Sequence, residues 1–439
     1  MPAAAARYVE EAFTRNLALQ ARTLDVESAR ARLAEARSAY QPRLDFVARY
    51  SVADGGRTID VPVGDLLNGV YRTLNDYLRS QGQPAAFAPV ENQSISLLRE
   101  HEQETKLRLT QPLYRPAIPR GVRAQKATLA ARDAQLAAYR RELRLAVLSG
   151  YYGYLQAEAA VATLDSAERL TAEAVRANRL LLETDRVTED RLLRAEADAL
   201  AVRQQRAEAE RDRNLARSYF NFLLNRPLEL AIEHVSDDEL RGLTEVLLAV
   251  ESSGAPGPDR REELVALQHA VAAASAAEDA VRARFQPALD LAVEGGIQGE
   301  NYRTGGDANF VQGSLVASVN LWDGRERRSQ LQQARIERRR AELELEDTRQ
   351  QLALQVQQAS DEFAAATAAH RTATRRREAA RRVFELVTQR EREGLVNQLS
   401  FLDARNELTR AELNDVVTRQ RLFIAAAALD RAAALSPLP

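Results

Sequence analysis

Two stretches of the chain alternate between apolar and polar residues, and the same short motif introduces both. Residues 40–45 read YQPRLD and residues 285–290 read FQPALD, an offset of 245 positions. After the first motif Leu44, Phe46 and Ala48 alternate with polar positions, and ALDLAVEGGI (288–297) continues the second in the same way. A period of two indicates a β-strand with one apolar and one polar face. The repeated motif indicates that the chain is internally duplicated.

A second alternating stretch follows each predicted strand after a polar, Gly-rich interval. These stretches are ETKLRLTQPLY (104–114) and VQGSLVASVNLW (311–322), and aligning PLY on NLW gives an offset of 208. The first half therefore carries about 37 extra residues, which lie within 54–104. Inside that long loop VGDLLNGVYRTLNDYL predicts a short helix.

The remaining pattern is helical and is also written twice. A helix is expected from about Ala5 to Tyr40, and a very long one, about 69 residues or on the order of 100 Å, over 116–184. Apolar residues spaced seven, four and seven predict a coiled-coil seam in both halves: Leu136, Leu143, Val147 and Tyr154, then Leu345, Leu352, Val356 and Phe363 at an offset of 209. Tight turns at 184–190 and 393–398 precede returning helices.

The duplication divides the chain into three parts. Residues 1–226 form the first predicted repeat: helix, strand, long loop 54–104, strand, long helix, tip turn and return helix. Residues 227–260 form an inter-repeat linker, and residues 261–439 repeat the order without the long loop.

Composition narrows the functional classes. Hydrophobic residues make up 45%, charged residues 28% and aromatics 5%, which is typical of long packed helices. The net charge of −2 offers no basic surface for nucleic acid. The chain has no cysteine, and the opening MPAAAARYVEEAF does not read as a secretion signal, so any signal peptide is expected to be absent from this numbering. No apolar run approaches a spanning helix, so a membrane would have to be crossed by strands.

Strands in a membrane need partners for their edges. Each repeat offers two strands of about ten residues, a length that spans a bilayer when tilted. Two hairpins cannot close a barrel, and unpaired backbone groups in lipid each cost several kcal/mol. We therefore expect several copies to pool their strands.

These motifs, in this order and duplicated, resemble the TolC family of outer-membrane export channels over essentially the whole chain. The resemblance rests on the two Gln-Pro strand entries, on TKLRLTQPLY and ASVNLWDG, and on the turn EGLVNQLSFLDARNEL. It implies an α+β membrane protein with long coiled-coil hairpins in a periplasmic tunnel and four transmembrane strands per chain, pooled by a homotrimer into a 12-stranded β-barrel. It further implies a passive exit duct in the lipid bilayer of a Gram-negative outer membrane, without cofactor or metal. Its expected partners are a periplasmic adaptor and an inner-membrane RND pump or ABC transporter, and its cargo is small molecules or secreted polypeptides.

The resemblance also suggests gate residues. Asp403 matches an acidic position of the family's periplasmic closure, whereas the preceding acidic position is Ser400 here, which argues against a double acidic ring. The counterparts in the first repeat are Arg191 and Arg194. We expect Asp403 to pair with one of these arginines across neighbouring hairpins; the alternative is that all are ordinary exposed charges.

The turns and the strand ends supply the other candidates. The expected docking positions for an adaptor are Asp185, Arg186, Val187, Gly394, Leu395 and Val396, with simple hairpin geometry as the alternative. Gly394 can adopt the positive φ that suits a tight turn between helices, and Asp185, which tolerates that conformation better than most residues, takes the same place in the first repeat. Tyr114 and Trp322 are expected to end strands at the membrane interface.

Two other classes remain as alternatives. The four histidines are scattered, and phosphate-loop, HExxH and GxSxG motifs are absent, so an enzyme is not expected. A soluble coiled-coil scaffold, or a membrane-associated structural protein, would explain the helices but not four alternating strands in duplicate. The nature of the cargo stays open.

Overall fold

The structure is a computed structural model that describes residues 1–249, 257–393 and 395–437, without the side chains of Arg392 and Gln398. Two compact units divide the chain. One, here called the helical unit, comprises Met1–Ala34, Val122–Glu278 and Gln332–Pro439, and the other, the sheet unit, comprises Glu35–Gly121 and Asp279–Leu331.

The elements follow the predicted duplicated order. Up to the end of the first repeat they are α1 Ala3–Arg15, α2 Leu17–Ser38, β1 Arg43–Val52, β2 Thr58–Val61, α3 Val63–Ser80, β3 Gln93–Ser96, β4 His101–Tyr114, α4 Ala117–Glu183 and α5 Glu189–Leu223. Then come α6 Asp237–Ala249, a 3-10 turn Pro258–Arg260, α7 Glu262–Ala283, β5 Ala288–Gly299, β6 Asn309–Ser318, α8 Glu326–Arg392 and α9 Gln398–Ala433. Both long helices have 67 residues, which agrees with the constant offset between their seams.

Three of the four predicted seam positions are buried in each repeat, and the first, Leu136 or Leu345, is half-buried. Leu143, Val147 and Tyr154 are buried on α4, and Leu352, Val356 and Phe363 are buried on α8. A large cluster in the helical unit adds aromatic contacts that the seven-residue spacing does not show. There the Tyr8 ring lies 4.9 Å from Phe220 and 5.4 Å from Tyr151, centroid to centroid, so α1, α5 and α4 meet at one point.

The first predicted helix, from about Ala5 to Tyr40, is wrong in one respect: it is two helices. Asn16 leaves the helical conformation, with ψ at 120°. Its side-chain oxygen accepts the Leu19 N–H at 3.0 Å, and its amide donates to the Leu223 carbonyl at 2.9 Å. A short polar side chain that bonds backbone groups competes with the helix, and here the bond to α5 makes the break permanent.

In the sheet unit four strands form an antiparallel sheet in the order β1-β4-β5-β6. Register pairs Phe46 with Leu107 and Leu291 with Leu315, so apolar positions of all four strands share one face. Asp45 pairs with Arg108, which in turn pairs with Glu294, on the opposite face. The apolar face is exposed: Phe46 is 69% accessible, Leu315 64% and Val311 85%.

The strand ends differ in part from the sequence prediction. Tyr114 is the last residue of β4, as expected. The strand end predicted at Trp322 is wrong, because β6 ends at Ser318 and Trp322 follows in irregular chain, 84% exposed. Its place at a membrane interface stays a prediction. The predicted stretch 311–322 therefore overestimates the strand by four residues at its end.

Two further segments contain more structure than their sequence suggested. The long loop 54–104 holds the expected helix, α3, and also the β2·β3 hairpin, and β4 begins inside it at His101. The linker 227–260 carries α6, whose Leu240 is buried in the core.

None of the helices in the described part of the chain is both long and apolar enough to cross a bilayer.

Candidate functional site at the helix tips and on the sheet

The turn between α4 and α5 is a tight helix end with a left-handed residue. Asp185 has a φ of 51°. Around it the Arg186 N–H donates to the Leu181 carbonyl at 2.9 Å, and the Asp185 N–H donates to the Leu182 carbonyl at 2.9 Å. This pair of bonds terminates helices by satisfying their last carbonyls. The left-handed conformation expected at Asp185 is thus present.

The second turn, between α8 and α9, shares one bond of this pattern. The Leu395 N–H donates to the Arg390 carbonyl at 2.8 Å, the same five-residue spacing as at the first tip. Gly394 lies outside the described residues. Leu395 is 70% exposed, while Val187 and Val396 are half-buried and Arg186 is exposed.

Ser400 has a local role that its sequence position did not reveal. The side-chain oxygen of Asn397 caps α9 by accepting both the backbone N–H and the hydroxyl of Ser400, each at 2.9 Å. The first turn lacks this cap, since Thr188 makes no side-chain cap bond to α5. The two tips therefore begin their returning helices with different stability.

The candidate arginines have partners within the chain. Arg191 on α5 lies 3.5 Å from Glu391 on α8, and Arg194 lies 3.8 Å from Asp190, one turn before it. Asp403 is exposed and makes no hydrogen bond or ion pair with any described residue. Within one chain the structure does not bring Asp403 together with Arg191 or Arg194, and a contact between hairpins of different copies stays a prediction.

Sequence reasoning missed the most buried ion pair near the tips. Arg405 on α9 is 1% exposed and donates through Nη2 to Asp198 on α5 and, at 2.8 Å, to Asn406. Its Nε and Nη1 atoms have no partner among the described residues. Ala195 and Ala404, at equivalent positions of the two repeats, are both buried beside it. An arginine within a seam of small apolar residues was the signal that could have found this pair.

Further from the tips, ion pairs line the contact between α8 and α9. Arg376 reaches Glu407 at 2.7 Å and Arg381 reaches Glu412 at 3.0 Å, both largely exposed. Exposed pairs of this kind each contribute about 0–1 kcal/mol. These pairs therefore determine mainly which faces of α8 and α9 are in contact, and they add little to the stability of that contact.

One carboxylate in this contact is buried. Asp415 accepts from Arg377 at 2.6 Å and from Thr374 at 2.9 Å, and His370 lies 3.9 Å away. Burial lowers the pKa of the His370 imidazole, opposed by Asp415 and reinforced by Arg419 and Arg377. An open cleft of about 1100 Å³ lies beside these groups and extends to α4 and α6.

On the polar face of the sheet, charges alternate across three strands. Arg49 lies 3.3 Å from Glu104, and Lys106 lies 2.6 Å from Glu104 and 2.8 Å from Glu294, which also accepts from Arg108. These pairs link β1, β4 and β5 side to side. A polar, paired face opposite an exposed apolar face is the arrangement of a strand between water and lipid.

No cluster of three potential metal ligands occurs in the part of the chain that the structure describes.

Comparisons with known proteins agree with this geometry. Residues 259–435 match the family described as outer membrane efflux protein. No curated protein matches the chain significantly.

Several solved structures share the fold. A membrane protein from Pseudomonas aeruginosa has a TM-score of 0.78 at 19% identity, covering 98% of this chain and 93% of its own. The CmeC outer membrane channel of Campylobacter jejuni has a TM-score of 0.76 at 15% identity, covering 98% and 85%. The MtrE outer membrane channel of Neisseria gonorrhoeae, in an open state, has a TM-score of 0.73 at 19% identity, covering 97% and 88%.

Over the second repeat the chain thus matches the outer membrane efflux protein family, and over nearly its whole length it has the fold of solved outer-membrane channels. Both findings agree with the resemblance to the TolC family that the duplicated motifs indicated.

Proposed function

We propose that three copies of the chain pool their four-stranded sheets into one twelve-stranded cylinder in the bacterial outer membrane and act as a passive exit duct. The observation that carries this proposal is the sheet itself. Its outer strands, β1 and β6, each pair with a single neighbour, and its apolar face is exposed on β1, β4 and β6 and half-buried on β5.

The physical argument concerns the two sheet edges. In lipid an unpaired N–H or C=O group costs several kcal/mol, and β1 and β6 each present a row of them. Pairing β1 of one copy with β6 of the next removes every edge, and it places all apolar faces outside and all charged faces inside. A cylinder of three copies is the closure that the family likeness supports.

The partners and cargo follow from the same proposal. The helical hairpins form the periplasmic part of the duct, and a periplasmic adaptor joins it to an inner-membrane RND pump or ABC transporter, which supplies the energy. The cargo is small molecules, including drugs and toxic compounds, or secreted polypeptides.

Cysteine crosslinking tests the cylinder directly, because the natural chain contains no cysteine. Each double variant carries one cysteine on β1, such as Val47→Cys, and one on β6, such as Ser314→Cys. A small set of such variants covers the possible registers between β1 of one copy and β6 of the next. At least one pair should give disulfide-linked species up to a trimer of the 48.8 kDa chain. The matched control joins Leu109→Cys to Val293→Cys, which face each other across β4 and β5, and should crosslink only within one chain.

The outcome separates the duct from a scaffold. A protein that stays in the soluble fraction and yields no crosslink between copies would instead be the coiled-coil scaffold. In planar bilayers the duct should also give discrete conductance steps.

A gate at the helix tips is part of the proposal. Asp403 is exposed on α9 and free of partners among the described residues, so it can pair with Arg191 or Arg194 of a neighbouring copy. Before desolvation, a partly shielded contact of 4 Å contributes about 4 kcal/mol at an effective dielectric constant near 20. Three such contacts would hold the periplasmic end closed.

Conductance measurements test the gate. Asp403→Ala and Arg194→Ala should each increase the current through the closed channel, whereas Arg376→Ala, which removes an exposed pair far from the tips, should not. An unchanged leak in both tip variants would contradict the gate and leave the duct intact.

The two tips are proposed to contact the adaptor. Leu395 is the most exposed apolar side chain of the described tip residues, so Leu395→Asp should weaken adaptor binding to the purified channel. Leu193→Asp, at an exposed leucine on α5, is the matched control. Equal affinity for both variants would show that the tips are simple hairpin turns.

A further inference from the structure

Helix α3, in the long insertion of the first repeat, contacts its own chain along one narrow edge. The side chain of Asn68 donates to the Val90 carbonyl and accepts the Val90 N–H, both at 2.8 Å. Seven residues later, Asn75 donates to the Phe87 carbonyl at 2.7 Å and accepts the Phe87 N–H at 3.0 Å. Two asparagines two turns apart therefore fasten the extended segment 86–90 along this edge.

The apolar side of the helix lies beside that edge and is uncovered. At 100° per residue, Leu66, Leu67, Val70, Leu74 and Tyr77 fall in one arc of about 100°. Leu66 is 69% exposed, Tyr77 64% and Val70 55%. Exposed large apolar side chains at this density mark an interaction surface.

The opposite side of α3 is polar and exposed as well. Asp65, Arg72, Asp76 and Arg79 lie in the arc facing away from the leucines, and Arg79 pairs with Asp76 at 3.2 Å. A helix with one wet polar arc and one bare apolar arc is suited to a boundary between water and an apolar phase.

The insertion is attached where β1 ends and β4 begins. The ladder of these strands continues through the Ala53 N–H bonded to Glu100 and the Leu97 N–H bonded to Arg57, each at 2.9 Å, into the β2·β3 hairpin. Gly55 and Gly56, with φ of 77° and 105°, make the bend between them. The insertion that carries α3 thus begins at the end of strands whose own apolar face is exposed, with Tyr50 56% and Val52 68% accessible at that end.

We propose that α3 is an interfacial helix that lies on the lipid surface at this end of the strands, with its Leu66–Val70–Tyr77 arc in the acyl boundary and its charged arc in the headgroup and water region. This inference rests on the proposed membrane-spanning cylinder. The insertion leaves the cylinder at the end of strands whose apolar face meets lipid, so the membrane surface is within reach of the apolar arc. Tyrosines on such a helix sit favourably at headgroup depth.

Single-cysteine fluorescence tests the placement. Val70→Cys on the apolar arc and Asp76→Cys on the polar arc are labelled with an environment-sensitive fluorophore in the full chain, and the assembled protein is reconstituted in phosphatidylcholine nanodiscs. Brominated lipid should quench the probe at Val70 severalfold more than that at Asp76, and aqueous iodide should show the reverse. All substituted side chains are exposed, so the substitutions should leave folding unchanged.

A third label separates this inference from the proposed cylinder. Leu315→Cys lies on the apolar face of β6 and should be quenched by brominated lipid if the strands span the bilayer. Lipid quenching at Leu315 but not at Val70 overturns the interfacial helix alone. In that case, protection of Val70 from both quenchers together with crosslinking between Val70→Cys copies would show that a second copy covers the arc. Absence of lipid quenching at Leu315 overturns the cylinder itself.

Discussion

Removing the carboxylate of Asp198 should loosen the helix tips, because it leaves a buried arginine without its charge partner. Arg405 is 1% exposed, and two of its three guanidinium nitrogens already lack partners among the described residues. In Asp198→Ala only Asn406 would still accept from it. Deleting one member of a buried pair typically costs about 3–5 kcal/mol.

This loss of stability should appear as more frequent local opening of the helices, which exposes their backbone amides to hydrogen exchange. One factor of ten corresponds to about 1.4 kcal/mol, so amides of α5 and α9 near the pair should exchange roughly 100- to 4,000-fold faster. Hydrogen exchange followed by mass spectrometry on peptides covering 189–202 and 399–410 measures this. Peptides from the sheet unit should exchange at the wild-type rate.

Two variants make the test specific. Glu196→Ala removes the partner of Arg179, whose side chain is 59% exposed, so its effect should not exceed about 1 kcal/mol, or fivefold. Adding Arg405→Leu to Asp198→Ala removes the stranded charge and should restore most of the protection. If Asp198→Ala and Glu196→Ala exchange alike, the pair does not hold the tips and the reasoning fails.

Three further predictions concern the strands, the second tip and pH. Gly296→Ala should prevent correct assembly, because its Cβ would lie 2.1 Å from a backbone oxygen of β4, whereas Gly313→Ala meets nothing within 4 Å and should assemble normally on a native gel. Asn397→Ala removes the cap of α9 and should cost about 1 kcal/mol, seen as a lowered melting temperature, while Thr188→Ala, which removes no cap bond, should match the wild type. Burial lowers the pKa of His370 in the folded chain, so the unfolded chain binds its proton first and stability should fall as pH drops below about 6.5. His370→Gln should flatten melting temperature against pH between 7 and 5, and a profile that keeps its wild-type slope would contradict this account.

Periodicity alone predicted the larger elements. The seven-four-seven spacing from Leu136 to Tyr154 indicated the long helix, because residues at this spacing lie on one face of a helix, and that face can be buried. The alternation of Leu44, Phe46 and Ala48 predicted strand β1, since successive residues of a strand point to opposite faces, and Pro42 in the motif before it ends the preceding helix. These periodic patterns are local, so they can be recognised in the amino-acid sequence alone.

Features that depend on contacts between residues far apart in sequence could not be predicted from local patterns. The break at Asn16 is fixed by a carbonyl 207 residues away, and Asp198, the charge partner of Arg405, is also 207 residues away in sequence. Val319 and Leu321 continue the alternation of β6 up to Trp322, yet the register with β5 ends at Ser318 and so does the strand.

The sequence by itself determined the duplication, the two long helices, the four strands of the sheet and the family likeness, because each depends on a repeat or a period along the chain. Only the tertiary structure decided which charges meet, which of them are buried, and which apolar faces find no cover. The physical reason is that an ion pair or an uncovered face is a relation between segments far apart in sequence, and its energy depends on the water that folding excludes. For that reason the exposed apolar arc of α3 and the ion pair between Arg405 and Asp198 are evident only from the tertiary structure.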